Sequence, residues 1–145
     1  MEFFNKAYSE LSKDELYEIL QLRAQVFVVE QDCVYQDVDG KDSIANHIFI
    51  KEDEIIIGYA RIFGPGDYFK YASIGRVVVH PDHRGQNSGN IVINLCVKAI
   101  YDLYGTEDVQ ISAQNHLKKF YERHGFEKRG KIYLEDGIKH ISMKI

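Results

Sequence analysis

The run Gly75-Arg76-Val77-Val78-Val79-His80-Pro81-Asp82-His83-Arg84-Gly85-Gln86-Asn87-Ser88-Gly89-Asn90 reads as a strand, a short polar turn and the start of a helix. That order aims several backbone N–H groups and the positive end of a helix at one point, a geometry suited to a diphosphate. No Gly-Lys-Ser/Thr follows, so it is not a Walker loop, and its glycines do not have the GxGxxG spacing. On these residues alone, an anion site and an ordinary strand-to-helix turn both stay open. A second polar group, Asp37, Asp39 and Asp42 with His47, raises the question of a metal. It misses the EF-hand pattern, because Gly40 at the turn would require Asp at position 35, where Tyr35 stands. It is expected to be a solvated loop that attracts a cationic partner, with no metal bound. Cys33 has no base identifiable beside it to make it a nucleophile, and Cys96 reads as helix packing.

The elements that must position these residues follow from hydrophobic spacing. Phe3 to Tyr8 fits a short first strand. Ser12 and Glu15 have the spacing of a capping box, with Leu11 and Leu16 placed to staple across it. Leu16, Ile19, Leu20, Arg23, Val26 and Phe27 then recur at helical intervals and predict one helix with a buried face to about Glu30. Residues 31–45 read as a loop or an irregular second helix. Asn46 to Lys51 and Glu54 to Phe63 predict two strands around a tight turn at Asp53, and Gly64-Pro65-Gly66-Asp67 breaks the chain.

Ala72 to His80 is the next strand, and its three consecutive valines suggest burial on both faces. Val92, Leu95, Cys96, Ala99 and Leu103 mark an amphipathic helix ended by Gly105. Val109 to Ala113 is a short strand, and Asn115 is placed to cap a last helix through Phe120 and Tyr121 that Gly125 closes. Asp136-Gly137 between Lys131–Glu135 and Ile138–Ile145 is a hairpin signal. The expected fold is a single α/β (α+β) domain over residues 1–145. It has a mixed, mostly antiparallel sheet of six or seven strands and about four flanking helices.

Composition narrows the function classes. A 145-residue chain that is 45% hydrophobic and 28% charged is expected to form one folded domain. With a net charge of −4 and no basic stripe, a nucleic-acid partner is not expected, while a cationic one is compatible. No apolar run approaches the ~20 residues of a membrane span, and no secretory leader is visible. Two distant cysteines fit neither a disulfide framework nor a zinc site, so a cytoplasmic location is expected.

The strand, turn and helix around Arg84-Gly85-Gln86-Asn87-Ser88-Gly89 resemble the Arg-x-x-G-x-G/A acetyl-CoA loop of the GNAT superfamily of N-acetyltransferases. Further segments, in the same order, resemble its ElaA-like branch. Leu22 to Gln31 matches an LRxxVFVVEQ helix, and Cys33 to Asp42 followed by His47 continues it. Ser112-Ala113-Gln114, Phe120-Tyr121 and Gly125-Phe126 resemble the second CoA-binding half. Tyr133 to His140 resembles a closing EDGIPH motif, with Lys139 in place of Pro. The first glycine of the loop motif is Asn87 here. Asn is among the residues that best tolerate the left-handed backbone a glycine would supply there, so weakened rather than abolished CoA binding is expected.

This resemblance implies acetyl-CoA as co-substrate. Val77, Val78 and Val79 would lie along the pantetheine, and Arg84, Gly85, Gln86, Asn87, Ser88 and Gly89 would hold the diphosphate, with Asn115 as a further cofactor contact. Tyr121 stands where the family places the acid that protonates the departing sulfur. Glu30 is expected as the base that deprotonates the amine, with Glu135, His140, His47 or a water chain as alternatives. Gln31, Glu135 and His140 are expected to face the acceptor. The implied activity is direct acetyl transfer to a primary amine of a small molecule or peptide, by a monomer or homodimer. A non-catalytic acyl-CoA-binding module is the alternative, motivated by Asn87 and Lys139. A protein-interaction domain without a cofactor is a third reading.

Overall fold

The computed structural model describes residues 1–145. Its strands are β1 (Glu2–Ala7), β2 (Asn46–Glu52), β3 (Ile55–Phe63), β4 (Ala72–Val79), β5 (Val109–Gln114), β6 (Glu127–Glu135) and β7 (Ile138–Lys144). Its helices are α1 (Lys13–Arg23), α2 (Ser88–Tyr104) and α3 (Lys118–Glu122). All seven strands share one sheet in the order β1-β2-β3-β4-β5-β7-β6. Every neighbouring pair is antiparallel except β4 and β5.

Local chemistry explains most boundaries. At the head of α1, Glu15 N–H donates to Ser12 Oγ at 3.0 Å and Ser12 N–H to Glu15 Oε1 at 2.8 Å, the expected capping box. The β2–β3 turn uses Asp53 and Glu54 at positive φ, and the β6–β7 turn uses Asp136 and Gly137 in the same way. Gly105 ends α2 in the left-handed region, its N–H returning to Tyr101 O.

The core has two layers. On one face α2 lays Val92, Ile93, Cys96 and Ile100 on Ile48, Ile50, Ile57, Ile62 and Ile74. Gly58 permits this approach, since a Cβ there would lie 2.9 Å from Val92 Cγ2. On the other face Ile19, Leu22 and Val26 pack on Phe49, Ile56, Tyr59 and Val78.

Several expectations are corrected. The first helix does not stay α-helical to Glu30. Ala24–Glu30 widens to a π-helix, with Gln31 N–H reaching Val26 O and Cys33 N–H reaching Val28 O. The extra residue per turn re-aims the side chains that follow. Residues 31–45 take the loop alternative, with a single 3-10 turn at Asp42–Ile44, and three α-helices flank the sheet. Asn115 does not cap the last helix. It opens a 3-10 turn, Asn115–Leu117, and α3 starts only at Lys118. Of the three valines in β4 only Val78 is buried, because Val77 and Val79 lie beside an open cleft.

The acidic loop is not solvated. Asp37 and Asp42 are buried, and cations of the chain itself occupy them. Arg23, fully buried, donates from Nε to Asp37 Oδ2 at 2.9 Å and from Nη1 to Asp42 Oδ1 at 2.7 Å. Arg61 forks onto Asp39 at 2.9 and 2.6 Å and reaches Asp42 at 3.0 Å. Arg76 Nη2 donates to Asp37 O at 3.0 Å. Its Nε lies 2.8 Å from Asp37 Oδ1 as a charge contact, not an aligned hydrogen bond. These three arginines balance the three aspartates, so the cluster has no charge left to draw a cationic acceptor.

Breaking this cluster is costly, because a partner would be left charged and buried. Arg23→Ala should lose roughly 3–5 kcal/mol of unfolding free energy, measured by urea denaturation. Burial opposes ionisation of Asp39 and Asp42, but hydrogen bonds from Arg61 and Arg23 outweigh it and hold both carboxyls below their ordinary range. A depressed carboxylate contributes stability above its unfolded pKa and loses it as pH falls through the folded value. Stability should therefore decline below about pH 4, with a shallower decline in Asp39→Asn.

Candidate active site

β4 and β5 pair only at Ala72 with Val109 and at Ser73 with Gln110, and then diverge. Beyond Ser73, one edge of β4 has no neighbouring strand. His80 N–H donates across to Ile57 O at 2.8 Å on the β3 side. By strand alternation, the N–H and C=O of Val79 point the opposite way, into the cleft. A bulge between β3 and β4, with Arg76 at φ 53°, adds a residue to β4 and bends it where the cleft opens.

The cleft leads into a cavity of about 620 Å³ between the α1 end, β4, β5, α3 and the β6–β7 hairpin. Glu30, Gln31, Val77, Val78, Val79, Arg84, Gly85, Gly89, Tyr121, Glu135 and His140 all line it. Thus most of the sequence-derived site residues meet in one space. Gln86, Asn87 and Ser88 lie on the same loop without lining the cavity, and neither Asn115 nor His47 lines it.

His47 is fully buried with both ring nitrogens engaged. Nε2 faces Asp42 O at 2.9 Å, so it carries the proton, and Nδ1 faces the Tyr59 hydroxyl at 2.7 Å. Burial lowers its pKa and keeps it neutral. It is a structural histidine and drops out as a base.

At the loop, Gly85 (φ 78°) and Asn87 (φ 66°, ψ 9°) are both left-handed. Asn87 therefore adopts the backbone that a glycine would supply. Ser88, the first residue of α2, is 2% exposed, and its Oγ has no hydrogen-bond partner. Two left-handed residues leading into the N-terminus of α2 form a turn that fits an anionic group such as a diphosphate. Arg84 pairs across the cleft with Glu30, Nη1 to Oε2 at 2.9 Å and Nη2 to Oε1 at 3.1 Å, both side chains half-exposed.

Tyr121 comes from α3 and is 6% exposed. Burial, then the nearby Cys96 thiol, pushes its phenol pKa above the ordinary value, so it holds its proton at neutral pH. Opposite, Gln31 and Gln114 exchange two amide hydrogen bonds at 3.3 and 3.2 Å, tying the α1 end to the tip of β5. His140 Nδ1 lies 2.8 Å from Ile138 O, so that nitrogen carries a proton, and Nε2 faces Glu135 Oε2 at 3.3 Å. A carboxylate and a ring nitrogen bond there only through one shared proton. Ser112 Oγ contacts both Tyr133 OH and Glu135 Oε1.

Sequence reasoning missed Arg61, Arg76, Tyr35, Phe63, Tyr68 and Phe69, which also line the cavity. Arg76 lies within the strand expected from the sequence, but nothing in its neighbours marks the bulge that turns it toward Asp37.

The model of the GNAT acetyltransferase domain matches residues 8–145. This chain belongs to the GNAT acetyltransferase family. Within it, the chain resembles ElaA of Escherichia coli, with 40% identity over 138 residues, covering 94% of this chain and 90% of that protein. A UPF0039 protein of Synechocystis is 39% identical over 137 residues, covering 94% and 89%. The crystal structure of an acyl-CoA N-acyltransferase from Pseudomonas aeruginosa superposes with a TM-score of 0.92 at 38% identity, covering 99% of both chains. The crystal structure of E. coli ElaA superposes equally well, with 99% and 97% covered. GNAT membership makes acyl-CoA-dependent acyl transfer the chemistry of this fold. No helix is long and apolar enough to cross a membrane, and no cluster of three or more His, Cys, Asp or Glu is arranged for a metal.

A diphosphate placed on Arg84 would compete with Glu30 for its guanidinium. A half-exposed ion pair is worth ~1 kcal/mol or less, so Glu30→Gln should bind CoA up to about fivefold more tightly, measured by calorimetry.

Proposed function

We propose that this protein transfers the acetyl group of acetyl-CoA directly to a primary amine of a small molecule or peptide. One observation carries the reading: the unpaired edge of β4 leads from the left-handed loop at Gly85 and Asn87 into a cavity that also holds the buried phenol of Tyr121.

In this reading the pantetheine pairs with β4 as a missing strand would. The diphosphate takes Arg84 and the backbone N–H groups of residues 85–89, and a β4 N–H turned into the cleft polarises the thioester carbonyl. The amine nitrogen attacks the carbonyl carbon, the C–S bond breaks, Tyr121 gives its O–H proton to the departing sulfur, and the proton that the nitrogen sheds as the amide forms restores the phenol. A buried phenol that keeps its proton at neutral pH is suited to that step.

The acceptor ammonium must first lose a proton. Glu30 lies beside Arg84, on the diphosphate side of the cavity. The Glu135–His140 pair faces the cavity with its shared-proton position and is the better placed acceptor of that proton. Glu30, Glu135 and the rings of Tyr35, Tyr68 and Phe69 favour a cationic amine on an apolar body. Asn87 has the glycine-like backbone, so its substitution gives no support to a non-catalytic module.

The test is acetyl-CoA-dependent thiol release across a panel of primary amines. Release should require an amine, and Tyr121→Phe should lower kcat roughly 100-fold or more while acetyl-CoA still binds. Saturable CoA binding with no release for any amine would favour the binding-module reading instead. Full turnover in Tyr121→Phe would remove Tyr121 from the chemistry.

A further inference from the structure

An Asn at a helix N-cap ordinarily turns its side-chain oxygen onto the N–H two or three residues ahead. Asn87 precedes α2 and makes no such bond. Its Oδ1 instead accepts from Asn90 Nδ2 at 2.6 Å, and Asn90 Oδ1 lies 2.8 Å from His124 Nε2. An amide oxygen only accepts, so His124 donates Nε2–H, which fixes which end of the Asn90 amide faces Asn87. The imidazole packs edge-on against Phe120, ring centroids 5.2 Å apart, in the turn that follows Tyr121. Phe120 in turn lies where a Cβ on Gly89 would touch it at 3.4 Å. A rigid chain of side chains therefore runs from the α3 end to the one non-glycine residue of the loop in the left-handed region.

We propose that Asn90 and His124 are positioning residues of the acyl-CoA site, which anchor the Asn87 side chain and so hold its backbone in the left-handed turn that aims the loop and α2 amides at the diphosphate. The inference rests on the acyl-CoA reading of the loop. It explains how an Asn stands where the motif resembled has Gly: an L-residue is disfavoured in the left-handed region, and the side-chain anchor offsets that cost.

The experiment is a calorimetric titration of acetyl-CoA into wild type, Asn90→Leu, His124→Phe, His124→Gln, Asn87→Gly and the double variant Asn87→Gly with Asn90→Leu, each with its melting temperature. Asn90→Leu and His124→Phe should weaken binding about fivefold, the equivalent of ~1 kcal/mol for an unanchored L-residue held in the left-handed region. His124→Gln, which keeps a donor, should recover most of that loss. In the Asn87→Gly background, where the left-handed turn needs no anchor, adding Asn90→Leu should cost less than twofold. A packing defect would persist in that background and lower the melting temperature in both. Equal binding by wild type and Asn90→Leu, or an Asn90→Leu effect undiminished by Asn87→Gly, would overturn the positioning role and leave the acyl-CoA site standing. No saturable binding by wild type would remove the site and this inference together.

Discussion

The separation of β4 from β5 after two residue pairs is the constraint on which the site depends. A sheet normally satisfies every internal N–H and C=O through a neighbouring strand. Here parallel pairing stops at Ser73, and the strands splay while still belonging to one sheet. The opening leaves backbone donors and acceptors at the centre of the molecule, where a linear ligand can complete the ladder. Helix α2, entering through a left-handed turn, brings its N-terminus to one end of the same opening. Tyr121 on α3 closes another side.

The splay needs rigid walls, and the buried Arg–Asp cluster supplies one of them. Arg23 from α1, Arg61 from β3 and Arg76 from the β4 bulge converge on Asp37, Asp39 and Asp42. The loop carrying those aspartates continues from Gln31 and Cys33, which line the cavity and bond to Gln114 and to Asp136 O. The cluster therefore links the bend in β4 to the loop that lines the cavity. An apolar cluster of similar volume would serve stability as well or better, but it would not fix directions as a forked arginine does.

Features set by near neighbours were legible in the sequence. The Ser12–Glu15 capping box, the Asp136-Gly137 hairpin and the end of α2 at Gly105 depend on residues within a turn of one another, and all three form as expected. The loop and Tyr121 were legible through motif resemblance, and they meet in one cavity. What was not legible depends on distant partners. Arg23 sits at an apolar helical spacing and looks like part of a hydrophobic face, yet its burial is decided by Asp37 and Asp42, 14 and 19 residues away. Those aspartates look solvated until β3 and β4 bring Arg61 and Arg76 to them. The π-helical turn and the late start of α3 at Lys118 have no local signature, because tertiary packing rather than propensity decides them.

We propose that acyl-CoA lies along the free edge of β4 with its diphosphate on the loop before α2. The most direct measurement is a titration of isotopically labelled protein with acetyl-CoA, followed by backbone amide shifts. Saturable shifts concentrated at Val77, Val79, Gly85, Ser88 and Gly89, with the β1–β2 edge unmoved, are the expected result. No saturable shift at millimolar ligand, or shifts centred away from β4 and its loop, would contradict it.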